Sequence, residues 1–344
     1  MQVFRFLTAG ESHGKCLTAI IEGIPAGFKI DPAFINKELK RRQSGYGRGG
    51  RMKIESDTVE ITSGVRFGKT LGSPVTLVIQ NKDFENWQKV MSVNPDDYTD
   101  EKSFTKCRPG HADYAGSIKY NHKDLRNVLE RSSARKTAIE VAVGAVAKQI
   151  ISQVCDIKSS SKILQIGNAK NNFETEIDTA REEGDTLGGK FEITFENLPV
   201  GLGSYVHWDK MLDGKIAQAV MSVPAVKSVS IGNHHAYKMR GSEYHDEMFL
   251  ENGKIIRKTN NAGGIEGGMS NGENIIITAV MKPIPTLRKT LNTVDLKTMT
   301  EAQSHFERSD VCAVEACTVV AEARIACILA DEVLMKFVKD SFEK

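Results

Sequence analysis

Two stretches of this 344-residue chain dictate most of what it can become. Residues 132–154 set Ala134, Ala138, Val141, Ala142, Ala145, Val146 and Ile150 around a wide arc of one predicted helix, and residues 311–336 repeat that character. A helix that is apolar on more than one side must be covered from more than one direction. The available cover is a set of short runs rich in Val, Ile, Thr and Phe: 3–7, 17–24, 58–62, 75–80, 190–195 and 274–281. These read as strands. Asp31-Pro32 starts a further helix to about Arg42, and residues 209–221 suit another. Long buried helices among short strands point to an α+β fold with helices layered against sheets. Residues 156–188 are polar and irregular and read as a surface excursion. No linker or repeat divides the chain, so one domain over 1–344 is expected.

Composition narrows the function. With 46 basic and 44 acidic residues the net charge is +2, so any anion site must come from local clustering and not from overall charge. No apolar run comes near the roughly 20 residues that cross a bilayer, and the N-terminus has no secretory pattern. None of the six cysteines forms a C-x-x-C pair. A reduced, cytoplasmic chain without a disulfide framework or zinc site is expected.

The basic residues do cluster. KRRQSGYGRGGRMK, residues 40–53, joins four glycines to Lys40, Arg41, Arg42, Arg48, Arg51 and Lys53 with no acid. Such a loop lets backbone approach an anion while Arg forks bind phosphate or carboxylate. A solvated basic turn or an RNA-binding segment are the alternatives. Arg131-Ser132-Ser133-Ala134-Arg135-Lys136 opens the predicted central helix, where free N–H groups, hydroxyls and cations suit a phosphate. His13 in GESHG and His111 in RPGHAD sit in apparent loops among Gly, Pro and charges, as acid–base residues do. His234, His235 and His245 match no metal spacing; they, His122, His207 and His305 read as surface residues. The glycine-rich run 263–272 and Lys282-Pro283-Ile284-Pro285-Thr286 contain no dinucleotide fingerprint or P-loop. Glu307-Arg308-Ser309-Asp310 leads into the last helix.

Taken together, GESHGKCLTAIIEGIPAG (10–27), RRQSGYGRGGRMKIESD (41–57), RPGHADYAGSIKY (108–120), RSSARKTA (131–138), GGIEGGMSNGE (264–273), KPIPT (282–286) and ERSD (307–310) resemble the chorismate synthase family. The motifs occur in family order along nearly the whole chain. The resemblance implies a single β-α-β sandwich with helices between antiparallel sheets. It implies a homotetrameric, cytoplasmic lyase of the shikimate pathway, with no nucleic acid or membrane partner. It would convert 5-enolpyruvylshikimate 3-phosphate to chorismate and phosphate with reduced FMN, and NADPH as possible flavin reductant. Carried over by motif, Arg42, Arg48 and Arg135 hold substrate, with Arg42 and Arg48 also linked to NADPH. Arg131, Ser132, Ser133, Ala225, Gly267, Lys282 to Thr286 and Arg308 contact FMN. His13 is the acid for the leaving phosphate, His111 protonates reduced flavin, and Asp310 helps remove the ring proton. Pro224 stands where relatives commonly carry Asn, and Lys136 where they carry Glu.

Overall fold

The computed structural model describes residues 3–49, 56–307, 309–338 and 342. Two four-stranded sheets frame it. The first consists of β1 (Arg5–Ala9), β2 (Cys16–Glu22), β3 (Glu60–Ser63) and β4 (Val75–Gln80), in the order β1-β2-β4-β3. The second consists of β5 (Lys158–Ile166), β6 (Gly189–Glu196), β7 (Val226–Ile231) and β8 (Ile275–Met281), in the order β5-β6-β8-β7. Every neighbouring pair is antiparallel.

The helices that matter here are α1 (Pro32–Gln43), α2 (Asp113–Tyr120), α3 (Arg126–Ser132), α4 (Thr137–Cys155), α5 (Phe173–Glu182), α6 (Leu212–Met221) and α7 (Val314–Phe337). Helix α4 packs on β2 and β4 of the first sheet, α7 packs on β5 and β6 of the second, and the two helices pack on each other. That arrangement explains their all-round apolarity: each has a sheet on one side and a helix on the other. The expected α+β sandwich is therefore the observed one. At the crossing, Gly144 of α4 faces Ala323 of α7 so closely that an added Cβ would lie 2.6 Å from the Ala323 Cα.

The predicted strands lie within two residues of the observed ones, and 75–80 coincides with β4. Two expectations fail. Residues 156–188 are not an irregular excursion, because they contain α5 and the edge strand β5. Strand β5 begins Lys-Ser-Ser-Ser-Lys and is only half-buried, so its apolar alternation is weak. The helix expected from 132 is also broken. Ser133 turns extended (ψ 142°) and its hydroxyl accepts from the Arg135 N–H at 3.3 Å, the kind of local bond by which serine interrupts helices. Arg131 consequently belongs to the last turn of α3, where a cation suits the helix dipole, and not to the first turn of α4.

Residues 126–155 also correct the reading that no stretch could cross a membrane. By length and composition this one could, but 72% of its most apolar window is buried inside the fold, as befits a core helix.

A buried ion network ties the layers together. Glu322 on α7 accepts from Lys148 of α4, Arg41 of α1 (2.9 Å) and Ser159 of β5 (2.6 Å). Lys148 also donates to Glu38 at 2.6 Å. Arg41 thus leaves the basic cluster of residues 40–53 for the core, because adjacent helical residues point about 100° apart. Burial alone would raise the Glu322 carboxyl, but Lys148 and Arg41 outweigh it and hold the group at about 2. Its folded value therefore lies below the ordinary 4.5, so its stabilising share is complete above that pH and lost as pH falls towards 2. Urea midpoints measured from pH 7 to 2 should fall steeply across this window. Glu322→Gln should be less stable at pH 7 and flatter in acid; a parallel acid limb in the two proteins would remove Glu322 from that role.

Candidate active site

His13 sits in the loop between β1 and β2, which Glu130 on α3 holds at three points. One Glu130 carboxylate oxygen accepts from the His13 backbone N–H and the other meets its Nδ1, both at 2.8 Å. The Glu130 carbonyl accepts from the Ser12 N–H at 2.8 Å. The His13 ring stacks on Trp87 with centroids 3.8 Å apart. The Ser12 and Ser133 hydroxyls are 3.1 Å apart.

From this loop a line of contacts runs into the arginines. Asn81 donates to the carbonyls of Glu11 and Gly14 and accepts from Arg135 Nε at 2.9 Å. Arg135 donates from Nη1 to both carboxylate oxygens of Asp57, at 2.7 and 2.8 Å. Arg42 lies 3.9 Å from the same carboxylate and donates to Thr137 and the Ala134 carbonyl. Burial is the main reason that Arg42 is pushed down to about 10, and the charges of Arg135 and Arg48 add to it against the opposing pull of Asp57. It stays charged at neutral pH, yet its Nη1 has no hydrogen-bond partner among the described residues. Arg48 approaches Asp310 at 3.3 Å, and Asp310 accepts from the Gly49 N–H at 2.6 Å. Glycine is required at 49, since a Cβ would lie 2.9 Å from the Ser309 carbonyl oxygen.

The line continues to the second histidine. Ser309 donates to the Thr286 carbonyl at 2.6 Å, at the end of the 282–286 segment. At its start, Lys282 donates to the Gly110 carbonyl, beside His111, and Ala225 accepts from the Lys282 N–H at 2.9 Å. His111 Nδ1 lies 2.6 Å from Asp113, which also takes three bonds from Arg108, two from its guanidinium and one from its backbone N–H. Burial would raise the Asp113 carboxyl; the bonds from Arg108 and His111 outweigh it and hold it well below the usual carboxylate range.

The expected residues are thus gathered unevenly. His13, Ser133, Arg135, Arg42, Arg48, Asp310, Lys282 to Thr286 and His111 lie along one connected surface. Arg131 instead donates to the Gly10 and Thr8 carbonyls at 2.8 Å, bracing the His13 loop from below, and Ser132 bonds back to Val128. Gly267 is in a hairpin turn beside residues 203–212, and no contact joins it to this surface among the described residues. Arg308, Gly50, Arg51 and Lys53 lie outside the described residues.

Several members carried no sequence signal of their own. Glu130 lies in the mixed polar run RNVLERS of α3, and Asp57 and Asn81 flank strands. Arg126 donates to Glu307 at 2.8 Å and lies over the Trp87 and Phe104 rings. His305, read above as a surface residue, stacks on Phe104 and meets Glu307 at 3.1 Å. Burial works against the Glu307 charge, but His305 and Arg126 hold the carboxyl at about 2.

Known proteins resemble this chain along nearly its whole length. The family model described as chorismate synthase matches residues 4–334. Chorismate synthase of Thermoanaerobacter pseudethanolicus is 55% identical over 344 residues, covering 99% of this chain and 95% of that protein. The Aquifex aeolicus chorismate synthase is 47% identical over 382 residues, covering all of this chain and 96% of its own. A solved structure titled "Crystal Structure of Chorismate Synthase" superposes with a TM-score of 0.79 at 40% identity, covering 99% of this chain and 95% of that one. The chain belongs to the chorismate synthase family.

Proposed function

We propose that this chain is a chorismate synthase, a carbon–oxygen lyase that removes phosphate and a ring proton from 5-enolpyruvylshikimate 3-phosphate by anti 1,4-elimination. The observation that carries the reading is the buried surface on which Arg42, Arg48 and Arg135 gather beside Asp57 and Asp310, with two histidines at its ends. Among the described residues, three guanidinium groups against two carboxylates leave a cationic excess. A substrate bearing a phosphate and two carboxylates suits that excess on a chain of net charge +2. An RNA-binding reading would leave the two histidine–carboxylate pairs without a task.

Reduced FMN fits the same surface, because Arg42 Nη1, which has no hydrogen-bond partner among the described residues, offers a donor to an anionic group. Ser133, Ala225 and Lys282 to Thr286 are the described residues that would hold it. When bound it supplies transient electron density that weakens the allylic C–O bond, with no net redox change. The residues do the rest. The phosphate leaves with the C–O bonding pair, and His13 hands it a proton. Its Nδ1 is held by Glu130, so that proton travels through Nε2. Asp310 accepts the ring proton, while the electrons of that C–H bond complete the new diene. His111, held at Nδ1 by Asp113, keeps a proton available to the flavin through its own Nε2. NADPH as flavin reductant at Arg42 and Arg48, homotetrameric assembly, one domain over the chain, and a cytoplasmic location without nucleic acid or membrane partners complete the proposal.

Anaerobic incubation with substrate and reduced FMN should release phosphate and chorismate in equal amounts; no phosphate release would reject the activity. Arg48→Ala should weaken substrate binding by roughly tenfold to a hundredfold and flavin binding less, on the scale of a lost charge-assisted fork of about 1.5–3 kcal/mol. An unchanged substrate dissociation constant would remove Arg48 from the site.

A further inference from the structure

From the way one buried carboxylate grips both the backbone and the ring of His13, we infer that Glu130 is the positioning residue of His13. It fixes the imidazole with its proton on Nδ1, so that Nε2 is the atom that exchanges protons with the leaving group. Arg126 links the same carboxylate to Glu307. The inference rests on the reading of His13 as the acid.

Glu130 is 4% exposed, so its charge is largely withdrawn from water. A buried carboxylate is tolerable only where its lone pairs are taken. Here they are taken by the His13 N–H and His13 Nδ1, with Arg126 Nη1 3.7 Å away one turn earlier on α3. Because a carboxylate only accepts, an imidazole nitrogen 2.8 Å from it must carry a hydrogen. That selects the tautomer, which stacking on Trp87 alone does not. Arg126 is itself buried and donates to Glu307 at 2.8 Å. Glu307 lies three residues before Asp310 in sequence. Glu130 and the indole of Trp87 meet the imidazole, and Arg126 and Lys102 lie over the Trp87 ring at 5.3 and 5.5 Å.

The chemistry adds no new reactant. His13 gives its Nε2 proton to the departing phosphate, keeps the Nδ1 proton shared with Glu130, and regains a proton at Nε2 from solvent. Glu130 takes no part in the bond changes and acts only by holding the ring.

The experiment combines turnover with a direct view of the ring. In wild-type protein carrying 15N-histidine, the resonances of neutral His13 should report a hydrogen on Nδ1 and none on Nε2; the opposite tautomer would overturn the inference without any variant. Glu130→Gln, which keeps the shape but can present its amide N–H to the ring, should lower kcat by about tenfold to a hundredfold with KM little changed, and should alter the tautomer signal. His13→Ala combined with Glu130→Gln should be no slower than His13→Ala alone, because Glu130 acts through His13. A multiplicative loss in the double variant, or a normal kcat in Glu130→Gln with His13→Ala slow, would overturn the positioning role while leaving the acid role standing. Normal turnover in His13→Ala would instead defeat the underlying reading of His13.

Discussion

His13→Ala and His111→Ala should each slow turnover by roughly a hundredfold or more, the usual scale for losing general acid–base help. Both should stay folded. Each ring lies on a loop and belongs to no hydrophobic cluster of the core. Glu130 keeps its bond from the residue-13 backbone after the first change, and Asp113 keeps Arg108 after the second. The two losses should differ in kind. A substrate analogue with a better leaving group should recover part of the His13→Ala defect, since the missing proton goes to phosphate. His111→Ala should instead shift the pH at which bound reduced flavin changes its absorbance. Near-normal turnover in either variant would strip that residue of its role, and an identical response of both to leaving group would merge the two roles into one.

Gly144→Val should cost more stability than any surface change in the protein. The new Cβ would stand 2.6 Å from the Ala323 Cα and 2.7 Å from its carbonyl oxygen, both backbone atoms that cannot rotate away. Helices α4 and α7 would have to separate at the centre of the sandwich. Overpacking of this kind costs about 1–3 kcal/mol and sometimes more, a large part of a typical stability of roughly 5–15 kcal/mol. Even Gly144→Ala should destabilise, although alanine is favoured over glycine in a helix by about 1 kcal/mol. Denaturant midpoints decide the matter: a Gly144→Ala protein as stable as the parent would mean that the helices do not cross so closely there.

The layered fold was readable because burial leaves a mark along the chain. Helices α4 and α7 are apolar on several sides, and β4 and β8 are near-continuous apolar runs, so their partners could be inferred from what they must hide. Strand β5 escaped because an edge strand hides little and carries Ser and Lys instead. The break at Ser133 escaped because it depends on a serine hydroxyl choosing the Arg135 N–H over solvent, a choice that composition does not display.

The site divides along the same line. Residue types that are costly to bring together, such as clustered arginines near glycines and histidines in tight loops, advertise themselves in sequence. His13, His111, Arg42, Arg48, Arg135 and Asp310 were picked out on that ground and by the order of their motifs. Their supports were not: Glu130, Asp57, Asn81, Arg126 and Glu307 are common residues at unremarkable spacings. Asp57 and Arg135 are 78 positions apart, and Glu130 and His13 are 117 apart. Sequence by itself determined the layers, through hydrophobic periodicity, and singled out the candidate reacting groups, through local charge and family motifs, since all of these are properties of short stretches. Tertiary structure alone decided which arginine turns to the core, which to the site, and which carboxylate holds each histidine. Those choices depend on distances between segments that only packing brings within hydrogen-bond reach.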